Sequence, residues 1–304
     1  MIRTPALTLA VALLLGGCAT QPRAYDPSAS RALNVAKAAG LSKAEDYPAD
    51  KIPGAGISGL LDITTSALSF ESANGLDLAM GDAVGLGLLS FVFSPPAQMD
   101  RNALLAWIPE EQAKDKDEAA LALSKLVLDA IETTLSADGI AYHIEKAHQE
   151  RLALFYPFLE TRLDFDLDGK NCGVSYEVYK TQTIGPKPTP TFIGDGGAAY
   201  GFLAGHEIQY PSFDVGCQGA DPIHSIELAR KISHALPETV FLYMSPKRRP
   251  EGGRTPPMVL DHGNALMFIE PAANDRADSR AAPVNRSNGA GSQEQSHPRQ
   301  GAAS

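Results

Sequence analysis

The sequence predicts an α+β fold in which a mostly antiparallel sheet carries two main helices. Three observations lead there. Polarity alternates with period two on both sides of Asp168-Gly169, and an Asp-Gly pair between such runs is a strong hairpin signal. Two stretches, Ala113 to Ala137 and the one after Asp221, carry helical apolar spacing and recognisable start or stop residues. A second hairpin pattern surrounds Asp261-His262-Gly263-Asn264. With 44% hydrophobic and 20% charged residues, the chain has the composition of a globular protein. Its net charge of −10 argues against a nucleic-acid binder, which needs a basic face to neutralise phosphates.

The N-terminus reads as an address. Arg3 precedes an uninterrupted apolar run from Ala6 to Leu15, followed by Gly16-Gly17-Cys18. A basic residue, an apolar core and small residues at the cleavage point make a secretory signal over residues 1–17. The ending Leu15-Gly16-Gly17-Cys18 resembles the lipobox of bacterial lipoproteins. That resemblance implies a diacylglycerol on the Cys18 thiol and an acyl group on the new N-terminus, with no other cofactor. In that class a small residue after the cysteine, here Ala19, implies the outer membrane and a periplasm-facing domain. The bilayer is then one partner, through the anchor. No later segment spans it by itself: Ala83 to Ala97 is shorter than the ~20 apolar residues a helix needs.

Three cysteines then resolve into one lipid site and a pair, Cys172 and Cys217. An even pair in an exported protein reads as a disulfide. Two buried thiols or half of a metal site are the alternatives, but neither cysteine belongs to a CxxC or CxxH spacing, and no metal is expected.

Along the chain, residues 18–53 read as a lipid-anchored tether and a short helix. Ser28 or Ser30 caps that helix, which ends at Ala39 with Gly40 beyond. Residues 54–97 are apolar and glycine-rich and are expected to pack on the main domain. The α+β domain occupies residues 98–270. Its expected elements begin with a strand from Ala103 to Ile108 carrying Trp107, then the Ala113–Ala137 helix closed by Gly139. A strand through Ile140, Tyr142 and Ile144 follows. The hairpin at Asp168-Gly169 places Phe165 opposite Cys172, Leu163 opposite Val174 and Thr161 opposite Tyr176; a one-residue slip ruins both strands. Gly185 to Pro190 reads as a loop, Asp221-Pro222 as a helix start, and Thr239 to Met244 as a covered central strand. Residues 271–304 lack Ile, Leu, Met and aromatics and are expected to be a disordered tail.

Chemical motifs are few. Asp164-x-Asp166-x-Asp168-Gly169 copies half of a calcium loop, but Ser175 stands where the bidentate glutamate belongs. Gly54-Ala55-Gly56-Ile57-Ser58-Gly59 matches a dinucleotide string without the preceding strand. There is no G-x-S-x-G and no HExxH. His143 and His234 fall on wet stripes. The basic run Lys247-Arg248-Arg249, with Arg254, reads as a solvated hairpin tip or a contact for lipid phosphates. The expected function is non-enzymatic: a membrane-anchored envelope lipoprotein that binds or scaffolds an envelope protein partner. The alternatives are an envelope hydrolase assembled from His206, Glu207, Asp195 and His262, and an accessory or immunity protein presenting an apolar patch from Gly75 to Phe93.

Overall fold

The computed structural model describes residues 22–48, 100–153, 156–180, 184–204, 210–220, 222–248, 250 and 254–271. Over these the fold is α+β. Ten strands form one sheet: β1 (Ala103–Pro109), β2 (Tyr142–Ala153), β3 (Tyr156–Leu167), β4 (Lys170–Tyr179), β5 (Ile184–Pro188), β6 (Ala198–Phe202), β7 (Ser212–Cys217), β8 (Val240–Met244), β9 (Met258–Asp261) and β10 (Asn264–Met267). The helices are α1 (Arg31–Ala38), α2 (Lys116–Ala137) and α3 (Pro222–Ala235). Every strand pairing is antiparallel, in the order β10-β9-β8-β1-β7-β4-β3-β2, with β6 branching from β1 and β5 beyond it.

The helix boundaries follow from local chemistry. Ser30 caps α1 by accepting the Leu33 N–H, and Asp46 in turn accepts both the Ser30 N–H and its hydroxyl. The expected start of α2 at Ala113 moves to Lys116, because Asp115 accepts the N–H groups of Asp117 and Glu118 and fixes the cap there. A single 3₁₀ turn, Glu110–Gln112, precedes it.

The β3–β4 hairpin has the expected register, Phe165↔Cys172 through Thr161↔Tyr176. Asp168 (φ 54°) and Gly169 (φ 74°) form its two-residue turn, both left-handed as a tight hairpin requires. The second hairpin turns on His262 (φ 50°) and Gly263 (φ 79°), so Asp261 and Asn264 belong to strands. Two readings change. The Gly185–Pro190 text is not wholly loop: Ile184–Pro188 is a strand, and it tolerates Pro186 and Pro188 because it pairs only with β6, at an edge. The strand expected around Tyr142 runs on to Ala153, with register shifts near Lys146 that interrupt the alternation.

The sheet is covered unequally. Along β1, Leu104, Ala106 and Ile108 face one apolar cluster while Ala103, Leu105 and Trp107 face another. In β8, Val240, Leu242 and Met244 face the first and Phe241 and Tyr243 the second, which is why this strand is apolar on both sides. The first cluster is sealed by α2 and α3. The second holds α1, through Leu33, Val35 and Ala36, together with Ile193 and Tyr210. Strands β3, β4 and β7 contribute Leu163, Val174 and Phe213 to the first cluster, and no side chain of β2, β3, β4 or β7 belongs to the second. Half of the sheet is therefore sandwiched, and half has one polar face. No described helix is long and apolar enough to cross a membrane.

Candidate binding face

Alternation puts Glu160, Arg162 and Asp164 of β3, Asn171, Gly173, Ser175 and Glu177 of β4, and Asp214 and Gly216 of β7 on that polar face. A groove of about 380 Å³ runs across it, lined by Arg162, Asp164, Asn171, Ser175, Asp214 and Gln218 around two paired glycines, Gly173 and Gly216. The glycines differ in their reason for being there. A Cβ on Gly173 would lie 3.1 Å from Asp164 Oδ1 and 3.2 Å from the Leu163 carbonyl oxygen, so a side chain fits there only if these neighbours give by a few tenths of an ångström. A Cβ on Gly216 would meet nothing closer than Ser225 Oγ at 3.8 Å, so the chain's own packing does not require glycine there.

Arg162 is held by Glu145 at 2.8 Å and Asp164 at 3.3 Å. The side chains of Asn171, Ser175, Asp214 and Gln218 make no hydrogen bond or ion pair with described residues. The groove thus offers amides, a hydroxyl and a carboxylate that are not already engaged. At one end Phe158 stacks on Tyr179 with ring centroids 5.1 Å apart. Burial pushes the Glu177 carboxyl above its usual range, with Glu160 and Asp214 adding to the effect. Burial also drives the Tyr179 hydroxyl up to about 12, so it remains a donor, to Glu177 Oε2 at 3.3 Å.

Immediately beside Gly173 and Gly216, Cys172 and Cys217 stand directly opposite each other and form the expected disulfide, with side chains on the helix-covered face. The bridge joins β4 to β7 across a sequence separation of 45 residues, on the side of the sheet away from the polar face.

A second polar constellation lies beneath the other face. Ser124 Oγ of α2 is 2.8 Å from His148 Nδ1 of β2; the His148 N–H donates to Thr161 Oγ1 at 3.0 Å, and the Tyr176 hydroxyl donates to the Ser124 carbonyl at 2.5 Å. His148 has φ 49°, an uncommon value for a residue with a side chain. Burial lowers its imidazole below the usual histidine range, aided by Lys125 and opposed by Asp129 and Glu132. A serine beside a histidine invites a nucleophilic reading. Here Ser124 is 0% exposed, so no substrate carbonyl reaches its hydroxyl. The node fastens α2 to the irregular edge of the sheet. Sequence reasoning missed it because its members sit on four separate elements; the one available signal was a serine within the dry stripe of α2.

Of the residues expected to build a hydrolase, Asp195 and His262 are described, and they do not partner each other. Asp195 Oδ1 accepts the Gly197 N–H within its own loop. His262 Nδ1 lies 3.3 Å from Asp261 Oδ1, and Arg31 binds that same carboxylate at 2.8 Å. His234 Nδ1 is 3.4 Å from the His262 carbonyl, and Ser233 Oγ accepts the Gly263 N–H, so these groups knit α3 to the second hairpin. His143 is exposed. Among the described residues, no three His, Cys, Asp or Glu side chains are grouped to hold a metal ion. Of the former calcium string, Asp166 accepts the Gly169 N–H and Asp168 forms the turn. Cys18, His206, Glu207, the 54–97 segment with its Gly75–Phe93 patch, and residues 272–304 lie outside the described residues. No family model, curated protein or solved structure matches the chain.

Proposed function

We propose that this chain is a lipid-anchored lipoprotein of the bacterial envelope that binds another envelope protein through the polar face of β2, β3, β4 and β7. The observation that carries the binding reading is the groove around Gly173 and Gly216. There, unengaged hydrogen-bonding side chains surround a glycine that internal packing does not demand. Glycine inside a strand costs stability and marks close approach by a ligand or another backbone. The free carboxylate of Asp214 suits a lysine or arginine of the partner. The anchor rests on Cys18 and the residues before it.

Both parts can fail separately. Cys18→Ser abolishes lipid labelling and releases the protein from membranes; continued labelling overturns the anchor. A photo-crosslinking residue at Ser175 captures an envelope protein in intact cells, whereas one at Asp129, exposed on α2, does not. Gly216→Trp fills the groove and removes the Ser175 adduct while the protein stays folded. Adducts indistinguishable between the two positions would sink the binding face.

A further inference from the structure

In an antiparallel strand the backbone N–H and C=O groups of alternate residues point to opposite neighbours. For β7 the two sides can be assigned. Gln218 N–H donates to the Asn171 carbonyl at 2.8 Å, in step with the β4–β7 register, so Asp214 and Gly216 also direct their backbone groups at β4. From the other side, Leu104 N–H donates to the Pro211 carbonyl at 2.9 Å, which turns Ser212 towards β4 as well. Phe213, Val215 and Cys217 therefore turn their backbone groups outward.

That outer side is only partly covered. β1 meets β7 at one Cα pair, Ala103↔Ser212, and no described strand continues beside the residues that follow. At the far end, the Cys217 carbonyl accepts the Ala220 N–H at 3.2 Å, and Ser225 Oγ in the first turn of α3 stands 3.8 Å from where a Gly216 Cβ would be. The opening thus lies between the start of β1 and the start of α3. Val215 sits at its centre, half-buried, and neither of its backbone groups is hydrogen-bonded to a described residue. The outer strands of the sheet are blunted: β2 has register shifts around Lys146, β5 has Pro186 and Pro188, and β10 is four residues long. No proline, lysine or register shift stands in β7.

We propose that the partner binds by adding a short extended segment, antiparallel, to the outer edge of β7 at Val215, with a lysine or arginine opposite Asp214. This rests on the binding face proposed above and names how that face is engaged. One residue of the segment exchanges both backbone hydrogen bonds with Val215, the arrangement by which an open sheet edge takes up a peptide. Its two neighbours then lie opposite Asp214 and Gly216 and turn their side chains onto the polar face. A cation opposite Asp214 meets a carboxylate that no described residue engages, and opposite charges directly across a ladder attract. The side chain opposite Gly216 enters the groove, where glycine leaves it room. Backbone pairing thus supplies the attachment, and the groove selects among extended segments.

The test keeps the photo-crosslinking residue at Ser175 in intact cells. Val215→Pro removes the outward N–H and spares the β4 ladder, because a strand tolerates proline where its N–H faces away from the neighbouring strand. It is expected to lower the Ser175 adduct by about tenfold, as when a hydrogen-bond partner is left unsatisfied. Val215→Thr keeps the N–H and is expected to keep the adduct, and circular dichroism verifies folding of both variants. A second measurement needs no change in β7. In the mature chain from residue 18, carrying Cys18→Ser, the Val215 amide is expected to exchange its hydrogen rapidly while the Asp214 and Gly216 amides are protected. A protected Val215 amide, or a folded Val215→Pro protein with its full adduct, overturns the proposal and leaves the binding face standing. Absence of any Ser175 adduct when Val215 is intact overturns both. An adduct of twice the chain's own mass assigns the edge to a second copy of this chain and overturns the partner.

Discussion

Ser124 is the residue whose neighbours most constrain it. Its hydroxyl is wholly buried and has one side-chain partner, His148, whereas the imidazole is partly open to water. The two truncations are therefore unequal. His148→Ala strands a buried hydroxyl and costs about 1–3 kcal/mol in chemical denaturation, while Ser124→Ala lets water replace the lost partner and costs less. Equal losses would mean that the contact is not the relevant interaction. The pH dependence has a definite sign. A histidine whose folded pKa lies below its unfolded value binds more protons when unfolded, so its contribution is complete above the unfolded value of about 6.5. It is lost as pH falls through the depressed folded value. Acidifying from pH 7 to 5 should then destabilise the native protein more than His148→Asn, measured as the difference in Tm between them. A flat difference across that range refutes it.

At the scale of elements, the β3–β4 hairpin and its link to β7 do most to organise the molecule. Removing the Cys172–Cys217 bridge frees a 45-residue separation in the unfolded chain, and the chain-entropy account gives a loss of about 4 kcal/mol. Cys172→Ala with Cys217→Ala is expected to show that loss in urea titration, and a change below about 1 kcal/mol would show the account to be inapplicable. This hairpin was also the most legible element. Its alternation, turn pair and register could be read directly, because strand period and turn chemistry are local properties. The lengthened β2 and the proline-bearing β5 were not legible, since what admits Lys146 or Pro186 to a strand is a position at the sheet's edge. The polar groove was hidden for a related reason. Gly173 and Gly216 are distant in sequence, and only the β4–β7 pairing makes them neighbours.

For the whole molecule, the unequal covering of the sheet is the organising fact. Its sandwiched half needs α1. Ala32, Leu33, Val35 and Ala36 are all buried there, in the cluster that includes Phe241, Tyr243, Val259 and Phe268. Deleting residues 19–40 should lower Tm and raise binding of an apolar dye, as expected when a helix's worth of core is removed. An unchanged Tm would show that α1 is only a spacer. Helix α1 is therefore part of the domain and not a spacer before it.

The pairing of Tyr47 with Ile269 carries that point into time. Tyr47 follows α1 and Ile269 follows the last strand, and Tyr47 N–H donates to the Phe268 carbonyl while Glu270 N–H donates to the Tyr47 carbonyl. The first helix therefore waits for the last strands before its core is complete, and such distant contacts form slowly. For a chain threaded head-first across a membrane, late closure is useful. In the exported lipoprotein proposed above, the leading segment would stay unfolded enough to pass, and the domain would close only once its far end had followed.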